Sequence, residues 1–418
     1  MPAMIRDIVL TQKKELEQKL GEKYVLREAS LRQSGSDLIR VIIGPRRAGK
    51  SFFGMRQLAE NKSFGFVNFD DERLVRLQNF DEILDAVNAV YKNPTLLLLD
   101  EIQNLPDWEL IVNRLQRQGF QLIITGSNSN LLSSELATHL TGRHLPVHLF
   151  TFSFREYISS FGKDFTETEK KEKLNDFLIH GGYPEPCMKT LDYKEYLMVL
   201  FDSILFKDIV KRYQIRQAGA LENLASWLIS NITSAYSFNS LTKQVQISSV
   251  HTIKKYLGYL EESYIFFSLP GFSFKVAEQL KSNRKIYCFD NGFYQAKAFH
   301  FSEDWGKLLE NMIASELLRR GLNEGSRLFY WKGRDGNEVD FVIQRAGKIT
   351  QLIQVCWDLS NAKTREREIR ALVKASNELN CNDLLLITLG EEGNENYTWF
   401  GVKGEVAIVP AWKWLLKN

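Results

Sequence analysis

A glycine-rich string directly after a short apolar run constrains this chain more than any other feature. Residues 44–51 read G-P-R-R-A-G-K-S and follow Val41-Ile42-Ile43. A strand, a tight glycine turn and a helix in this order let backbone N–H groups surround a phosphate. The helix expected over 51–60 directs the positive end of its dipole at the same phosphate. The expected phosphate contacts are Gly44, Pro45, Arg46, Arg47, Ala48, Gly49, Lys50 and Ser51, with Lys50 on the β- and γ-oxygens and Ser51 on Mg²⁺.

An acidic strand end supports this interpretation over that of an ordinary strand-to-helix turn. Four consecutive leucines end in Asp100-Glu101, 50 residues after Lys50. A carboxylate at the end of a buried strand is costly to desolvate, so Asp100 should face a cation, most simply Mg²⁺ held through water. Glu101 is expected to polarise the water that attacks the γ-phosphoryl group. The alternative is that Glu101 is a solvated carboxylate in a protein that binds nucleotide without turnover.

The segment 38–150 predicts a parallel α/β sheet. Short apolar strands alternate there with helical stretches; the expected strands are Ile39 to Ile43, Phe64 to Phe69, Leu96 to Asp100, Phe120 to Thr125 and Val147 to Phe150. Ligands of such sheets bind at the carboxyl ends of the strands. At the end of the fourth strand, Ser127 or Asn128 is expected to orient water beside the γ-phosphate. A helix N-cap explains these two residues nearly as well.

Arg143 lies just before the last expected strand. An arginine there can neutralise the charge that develops on the phosphoryl group, and if a neighbouring subunit supplies it, turnover requires a homo-oligomer. A surface ion pair is an equally good explanation of this residue.

The composition limits the class of protein. A length of 418 residues suggests two or three domains of about 100–200 residues each. The net charge of +3 provides no overall basic field, so any nucleic-acid patch must be local. The four cysteines are widely spaced without a C-x-x-C pair, which argues against a zinc ribbon or a disulfide framework. No apolar run approaches the ~18 residues that span a bilayer, so we expect a cytoplasmic protein without a membrane partner.

A helix, turn, helix and wing pattern follows the sheet region. Residues 151–217 are expected to form a helical lid or connector, and 218–275 a winged helix. Within it, Val250, Ile253 and Leu257 recur at helical spacing. This spacing leaves the candidate nucleic-acid contacts on other faces, as in a recognition helix: His251, Thr252, Lys254 and Lys255. Winged helices also serve as packing modules, so DNA and protein both remain open as partners.

The order of these motifs resembles the prokaryotic AAA-type ATPases, in particular the group with a long C-terminal domain of unknown function. The string 44–51, the acidic strand 96–101 and the segment 151–157 carry the resemblance in the ATPase core. Residues 181–184, 285–290 and 333–342 match the long C-terminal domain. The resemblance implies ATP and Mg²⁺ as cofactors, Lys50 and Ser51 as phosphate and magnesium contacts, Asp100 as the metal-side carboxylate and Glu101 as the catalytic carboxylate.

The tail, expected over 276–418, follows the spacing of restriction-endonuclease-like cores. Glu310 on a helix, Asp340 on a strand and Gln354-Val355-Cys356 on the next strand carry that spacing. Gln354 stands where the metal-binding carboxylate is needed and Cys356 where the lysine is needed, so metal-dependent cleavage is not expected. The chain is therefore expected to be an ATPase, with an N-terminal helix and connector over 1–38 and a core over 39–150, that couples hydrolysis to rearrangement of a binding tail. A nucleotide-gated binding module without turnover is the alternative, and an active nuclease the third.

Overall fold

The computed structural model describes residues 2–31, 38–59, 63–76, 79–126, 143–247, 249–299 and 304–417. The chain divides into two compact units, Met1–Thr151 and Phe152–Asn418. In the part of the chain that is described, no helix is both long enough and apolar enough to cross a membrane.

A five-stranded sheet forms the centre of the first unit, and all its neighbouring strands are parallel. Its strands are β1 (Ile39–Ile43), β2 (Phe64–Asn68), β3 (Leu96–Asp100), β4 (Gln121–Gly126) and β5 (His144–His148), in the order β2-β3-β4-β1-β5. The predicted parallel sheet is confirmed. β5 begins three residues before the expected strand because it is an edge strand, and its partly exposed residues do not need an apolar run.

Helices cover this sheet: α1 (Pro2–Leu20), α2 (Lys50–Leu58), α3 (Glu72–Val75), α4 (Phe80–Tyr91), a 3₁₀ turn (Ile102–Asn104) and α5 (Trp108–Arg117). The predicted N-terminal helix is present as α1, and its side chains Ile5, Ile8 and Val9 are buried in the core. An extended connector over 21–31 leads from α1 toward β1.

The second unit begins with helices, as expected for 151–217. These are α6 (Phe154–Ser160), α7 (Glu167–His180), α8 (Pro184–Met188), α9 (Tyr193–Ser203) and a π-helix (Ile204–Lys211). Reciprocal hydrogen bonds between Ser153 and Glu156 begin α6, and the same arrangement of Thr166 and Glu169 begins α7. These caps satisfy backbone N–H groups that a helix start leaves without a partner.

A small three-stranded sheet with helices follows. Its elements are α10 (Ala218–Ser230), β6 (Ala235–Tyr236), α11 (Phe238–Gln244), α12 (Val250–Glu262), β7 (Phe266–Pro270), α13 (Val276–Lys281) and β8 (Arg284–Cys288). The strands are antiparallel in the order β6-β8-β7. Because β8 pairs with β7, this sheet extends past the boundary expected at residue 275.

The rest of the second unit is an α/β layer built on a six-stranded sheet. Its elements are α14 (Asn291–Lys297), α15 (Trp305–Glu324), β9 (Arg327–Lys332), β10 (Glu338–Arg345), β11 (Lys348–Cys356), α16 (Ala362–Leu379), β12 (Leu384–Thr388), β13 (Gly393–Trp399), β14 (Val402–Pro410) and α17 (Ala411–Leu416). The strand order is β13-β14-β12-β11-β10-β9. β9, β10 and β11 are antiparallel, whereas β11, β12 and β14 are parallel.

Candidate functional site

The loop between β1 and α2 requires glycine at both of its ends. Gly44 has a φ of 152°, and a Cβ added there would lie 1.9 Å from the carbonyl oxygen of Leu149. Gly49, directly before α2, has a φ of 89° in the left-handed region. The first helical backbone bond of α2 runs from Phe53 N–H to Gly49 O, at 2.8 Å. The N–H groups of the first helical turn therefore point toward the loop, which suits an anion.

Lys50 lies inside this loop. Its ammonium donates to the carbonyl oxygens of Gly44 at 3.0 Å and Pro45 at 2.8 Å, and the residue is only 5% exposed. The sequence predicted that this ammonium contacts phosphate oxygens; in the structure it lies on carbonyls of the loop that would surround a phosphate. An oxyanion in the loop would meet a positive charge that is already shielded from water.

Asp100 ends β3 as a buried carboxylate with hydroxyl neighbours. Burial raises its pKa from 3.8 to about 6, and the charge of Glu101 adds to the rise. Hydrogen bonds with Thr125 and Ser51, together with the charge of Lys50, act in the opposite direction. Ser51 and Asp100, the two predicted magnesium ligands, are thus brought together. A hydroxyl and a carboxylate oxygen are ligands that Mg²⁺ accepts.

Glu101 is held in an unusual position directly after β3. It adopts a left-handed backbone with a φ of 51°, which is uncommon for a residue other than glycine. Its backbone N–H donates to the Thr125 hydroxyl at 3.1 Å, and the Gln103 side-chain amide donates to its carboxylate. Thr125 therefore links the ends of β3 and β4, since its hydroxyl also donates to Asp100.

Arg27 reaches the same loop from the connector that precedes β1. Its guanidinium donates to the Ala48 carbonyl at 2.9 Å and to the Phe150 carbonyl at 2.5 Å. The sequence reasoning missed this residue, because a single arginine in a charged connector carries no pattern. It likewise missed the link made by Thr125 and the bond made by Gln103.

Three further predicted site residues lie between β4 and β5 in the sequence. Arg143 is an exposed residue directly before β5, and its carbonyl accepts a bond from Ile39 N–H at 3.0 Å. Its role in catalysis stays a prediction. Ser127 and Asn128 lie outside the described residues.

Helix α12 presents the predicted polar face. His251, Lys254 and Lys255 are exposed and Thr252 is half-buried, whereas Ile253 packs in the core. The ammonium of Lys254 lies 5.0 Å from the ring centre of Phe238. Ser249 caps the helix by accepting the N–H of Thr252 at 3.3 Å. The arrangement separates a polar face from a buried one, and its partner stays a prediction.

A buried lysine occupies the centre of the carboxylates in the tail. The ammonium of Lys285, supplied by β8, lies 3.1 Å from Glu310, 2.6 Å from Glu338 and 3.1 Å from Asp340. Burial would lower the pKa of Lys285, but the surrounding acidic groups hold it well above its ordinary value. Glu310 and Asp340, which the sequence analysis grouped by their spacing, do lie in one cluster. The sequence analysis assigned no role to the lysine between them.

Gln354 and Cys356 complete the neighbourhood of Asp340. The Gln354 carbonyl oxygen accepts the N–H of Asp340 at 3.1 Å, and its amide donates to Glu368 at 2.7 Å. Burial raises the pKa of the Cys356 thiol to about 11. In the described ranges, no group of three or more His, Cys, Asp or Glu side chains is placed to hold a metal ion. The cluster is therefore a buried ionic network in which Lys285 pairs with the carboxylates and the Gln354 amide packs beside them.

Similar proteins of known sequence place the chain in a family. The uncharacterized protein MJ1544 of Methanocaldococcus jannaschii is 36% identical over 397 residues, which cover 90% of this chain and 88% of that protein. An uncharacterized protein of Haemophilus influenzae is 30% identical over 363 residues, which cover 81% and 88%. The chain belongs to the family of these proteins.

The domain composition of this family member follows from three further matches. Residues 36–158 match the AAA domain, 171–303 match a domain of unknown function, DUF8612, and 305–410 match a second one, DUF4143. Among solved structures, the Walker-type ATPase PABY2304 of Pyrococcus abyssi is similar, with 14% identity and a TM-score of 0.43 over 68% of this chain and 95% of that one. The predicted order of an AAA-type core followed by a region of unknown function is confirmed.

Proposed function

We propose that the AAA domain binds Mg·ATP and hydrolyses it. One observation carries the proposal: Lys50, Ser51 and Asp100 meet at the carboxyl edge of the parallel sheet, where β1 and β3 end on either side of β4. The loop beside them has glycine in positive-φ conformations at Gly44 and Gly49. Each of these residues has a role in one reaction. The match of residues 36–158 to the AAA domain supports this function.

The chemistry of binding follows from the charges in the loop. Phosphate oxygens are stronger acceptors than carbonyls, so they should draw the Lys50 ammonium from Gly44 and Pro45. Mg²⁺ supplies the positive charge that a buried, ionised Asp100 needs, and Ser51 provides a hydroxyl ligand. ATP rather than GTP is proposed from the family alone, because no base-reading motif follows the loop.

Glu101 is the proposed general base for the attacking water. It stands beside the metal-side carboxylate Asp100 and is oriented by Thr125 and Gln103. Asn128 is proposed to orient the same water, and Arg143 to neutralise charge on the transferred phosphoryl group, in cis or from a second subunit.

Phosphate release by wild type and Glu101→Gln tests the proposal. Wild type should release phosphate with Mg²⁺ and ATP, whereas Glu101→Gln should bind ATP with similar affinity and lose turnover by about 100-fold or more. Gln103→Ala retains the base and removes only the amide that orients it, so it should lower turnover by less than Glu101→Gln does. If wild type releases no phosphate at varied salt and with duplex DNA present, hydrolysis is refuted.

A nucleotide-gated module without turnover is the second candidate. One hydrogen bond favours it: the side-chain amide of Gln103 donates to the Glu101 carboxylate. This bond occupies an oxygen that a general base would need for the attacking water. The second candidate predicts that ATP binds and changes protease sensitivity over 152–217 while no phosphate is released. Steady release that depends on Glu101 would exclude it.

For the second unit, we propose a winged helix and a nuclease-like tail that binds duplex DNA without cutting it. The element order around α12 and the strand order β6-β8-β7 support the winged helix. The exposed Lys254 and Lys255 suit phosphates, so binding should weaken steeply with salt. Lys285 between the carboxylates argues against a catalytic metal there. Mg²⁺- or Mn²⁺-dependent nicking lost in Asp340→Ala would show a nuclease, and binding to a protein but not to DNA would replace the DNA proposal.

A further inference from the structure

Two hydrogen bonds from the guanidinium of Arg27 join three separate segments of the first unit. Nη1 donates to the Ala48 carbonyl in the phosphate loop at 2.9 Å, and Nη2 donates to the Phe150 carbonyl after β5 at 2.5 Å. Both bonds are buried, and the residue is 7% exposed. A guanidinium can hold two acceptors at fixed angles because it is planar and its donors form a rigid fork.

The bond to Ala48 fixes the orientation of one peptide group in the loop. The peptide between Ala48 and Gly49 is planar and trans, so its C=O and N–H point in opposite directions. With the C=O directed at Arg27, the Gly49 N–H points away from Arg27. An ideal Cβ on Gly49 would lie 3.8 Å from the Arg27 Nη1, which places the guanidinium directly beside this peptide.

The loop is thus held from two sides by cations with different tasks. Lys50 donates to the carbonyl oxygens of Gly44 and Pro45 at the start of the loop, and phosphate oxygens, as stronger acceptors, would replace these carbonyls. Arg27 binds at the end of the loop, where α2 begins. A peptide that is oriented before the ligand arrives does not have to be ordered on binding, which saves conformational entropy.

We infer that Arg27 is a positioning residue of the nucleotide site. It holds the Ala48–Gly49 peptide so that its N–H is available to a phosphate, and its charge adds to the positive field around the loop. This role rests on the nucleotide binding proposed above.

Three variants separate this role from general support of the connector. Arg27→Ala removes the charge and both bonds, and Arg27→Lys retains the charge but not the fork. Arg56→Ala is the matched control. Arg56 holds the same connector through the Glu22 carbonyl and the ring of Tyr24, and its described contacts do not include the loop.

Calorimetry with a non-hydrolysable Mg·ATP analogue and steady-state phosphate release provide the readouts. Arg27→Ala should weaken binding by at least about tenfold, with Arg27→Lys intermediate and Arg56→Ala within about twofold of wild type. KM should rise accordingly, while kcat changes by less than about threefold. If Arg27→Ala does not fold, Arg27→Lys carries the test, with faster hydrogen exchange expected over 44–50.

The outcomes are distinct. Wild-type affinity in Arg27→Ala, or unchanged affinity and exchange in Arg27→Lys, would overturn the role of Arg27 and leave the proposed function intact. Equal weakening in Arg56→Ala would also overturn it, since the effect would then come from the connector as a whole. Absence of nucleotide binding in wild type would instead refute the proposed function, and the role of Arg27 with it.

Discussion

Replacing Asp100 by Asn should remove a dependence of stability on pH. The pKa of this buried carboxyl rises from 3.8 to about 6 on folding, so the folded chain holds the proton more tightly than the unfolded chain. A group with a raised folded pKa destabilises the fold when it is ionised. Without metal, the ionised carboxylate therefore costs the folded state about 2 pKa units, or about 3 kcal/mol, above pH ~7.

The size of the effect between two accessible pH values follows from the same shift. At pH 5, about one unit below the folded pKa and one above the unfolded pKa, protonation stabilises the folded state by about 1 kcal/mol relative to pH 8. Asp100→Asn has no proton to take up, so it should lose this increment. Any fixed cost of the amide cancels when the variant and wild type are compared at both pH values.

Urea denaturation of both proteins at pH 5 and pH 8, with a metal chelator present, measures this difference. The change in the free energy of unfolding caused by Asp100→Asn should be about 1 kcal/mol more favourable at pH 8 than at pH 5. The same variant should bind Mg·ATP more weakly than wild type. If Asp100→Asn changes the free energy of unfolding equally at both pH values, the pKa of Asp100 is not raised by folding, and this argument for a cation site is removed.

Three other variants have defined outcomes. Gly44→Ala places a Cβ 1.9 Å from a backbone oxygen, so it should lower the thermal midpoint by an amount that corresponds to more than about 1 kcal/mol and abolish Mg·ATP binding. Lys285→Ala leaves buried carboxylates without their cation and should destabilise the second unit by about 3–5 kcal/mol in urea; an unchanged midpoint would contradict the ionic network. Lys254→Ala with Lys255→Ala should lower DNA affinity in anisotropy titrations and reduce the salt slope by about 2, whereas an unchanged slope would place the phosphates elsewhere.

The sequence was sufficient for features that depend on neighbouring residues. The phosphate loop, α2 and the acidic strand end are specified within short strings, because each needs particular residue types at fixed spacing. Apolar runs located the inner strands of the parallel sheet for the same reason. The predicted position of the edge strand β5 was three residues too late, because its partly exposed side chains form no apolar run.

Features that join distant segments could not be predicted in this way. Arg27 contacts acceptors that are 21 and 123 residues away in sequence, and Lys285 contacts carboxylates that are 25 and 55 residues away. Their partners are brought close only by folding. A lone lysine or arginine has no periodic or spacing signal, so its role can be identified only from the folded structure.

Calorimetric titration of wild type and Lys50→Ala with Mg·ATP tests the central claim most directly. Wild type should show saturable binding, and the heat should disappear when the ammonium that lies on Gly44 and Pro45 is removed. Undetectable binding by wild type, or equal binding by both proteins, would contradict the account.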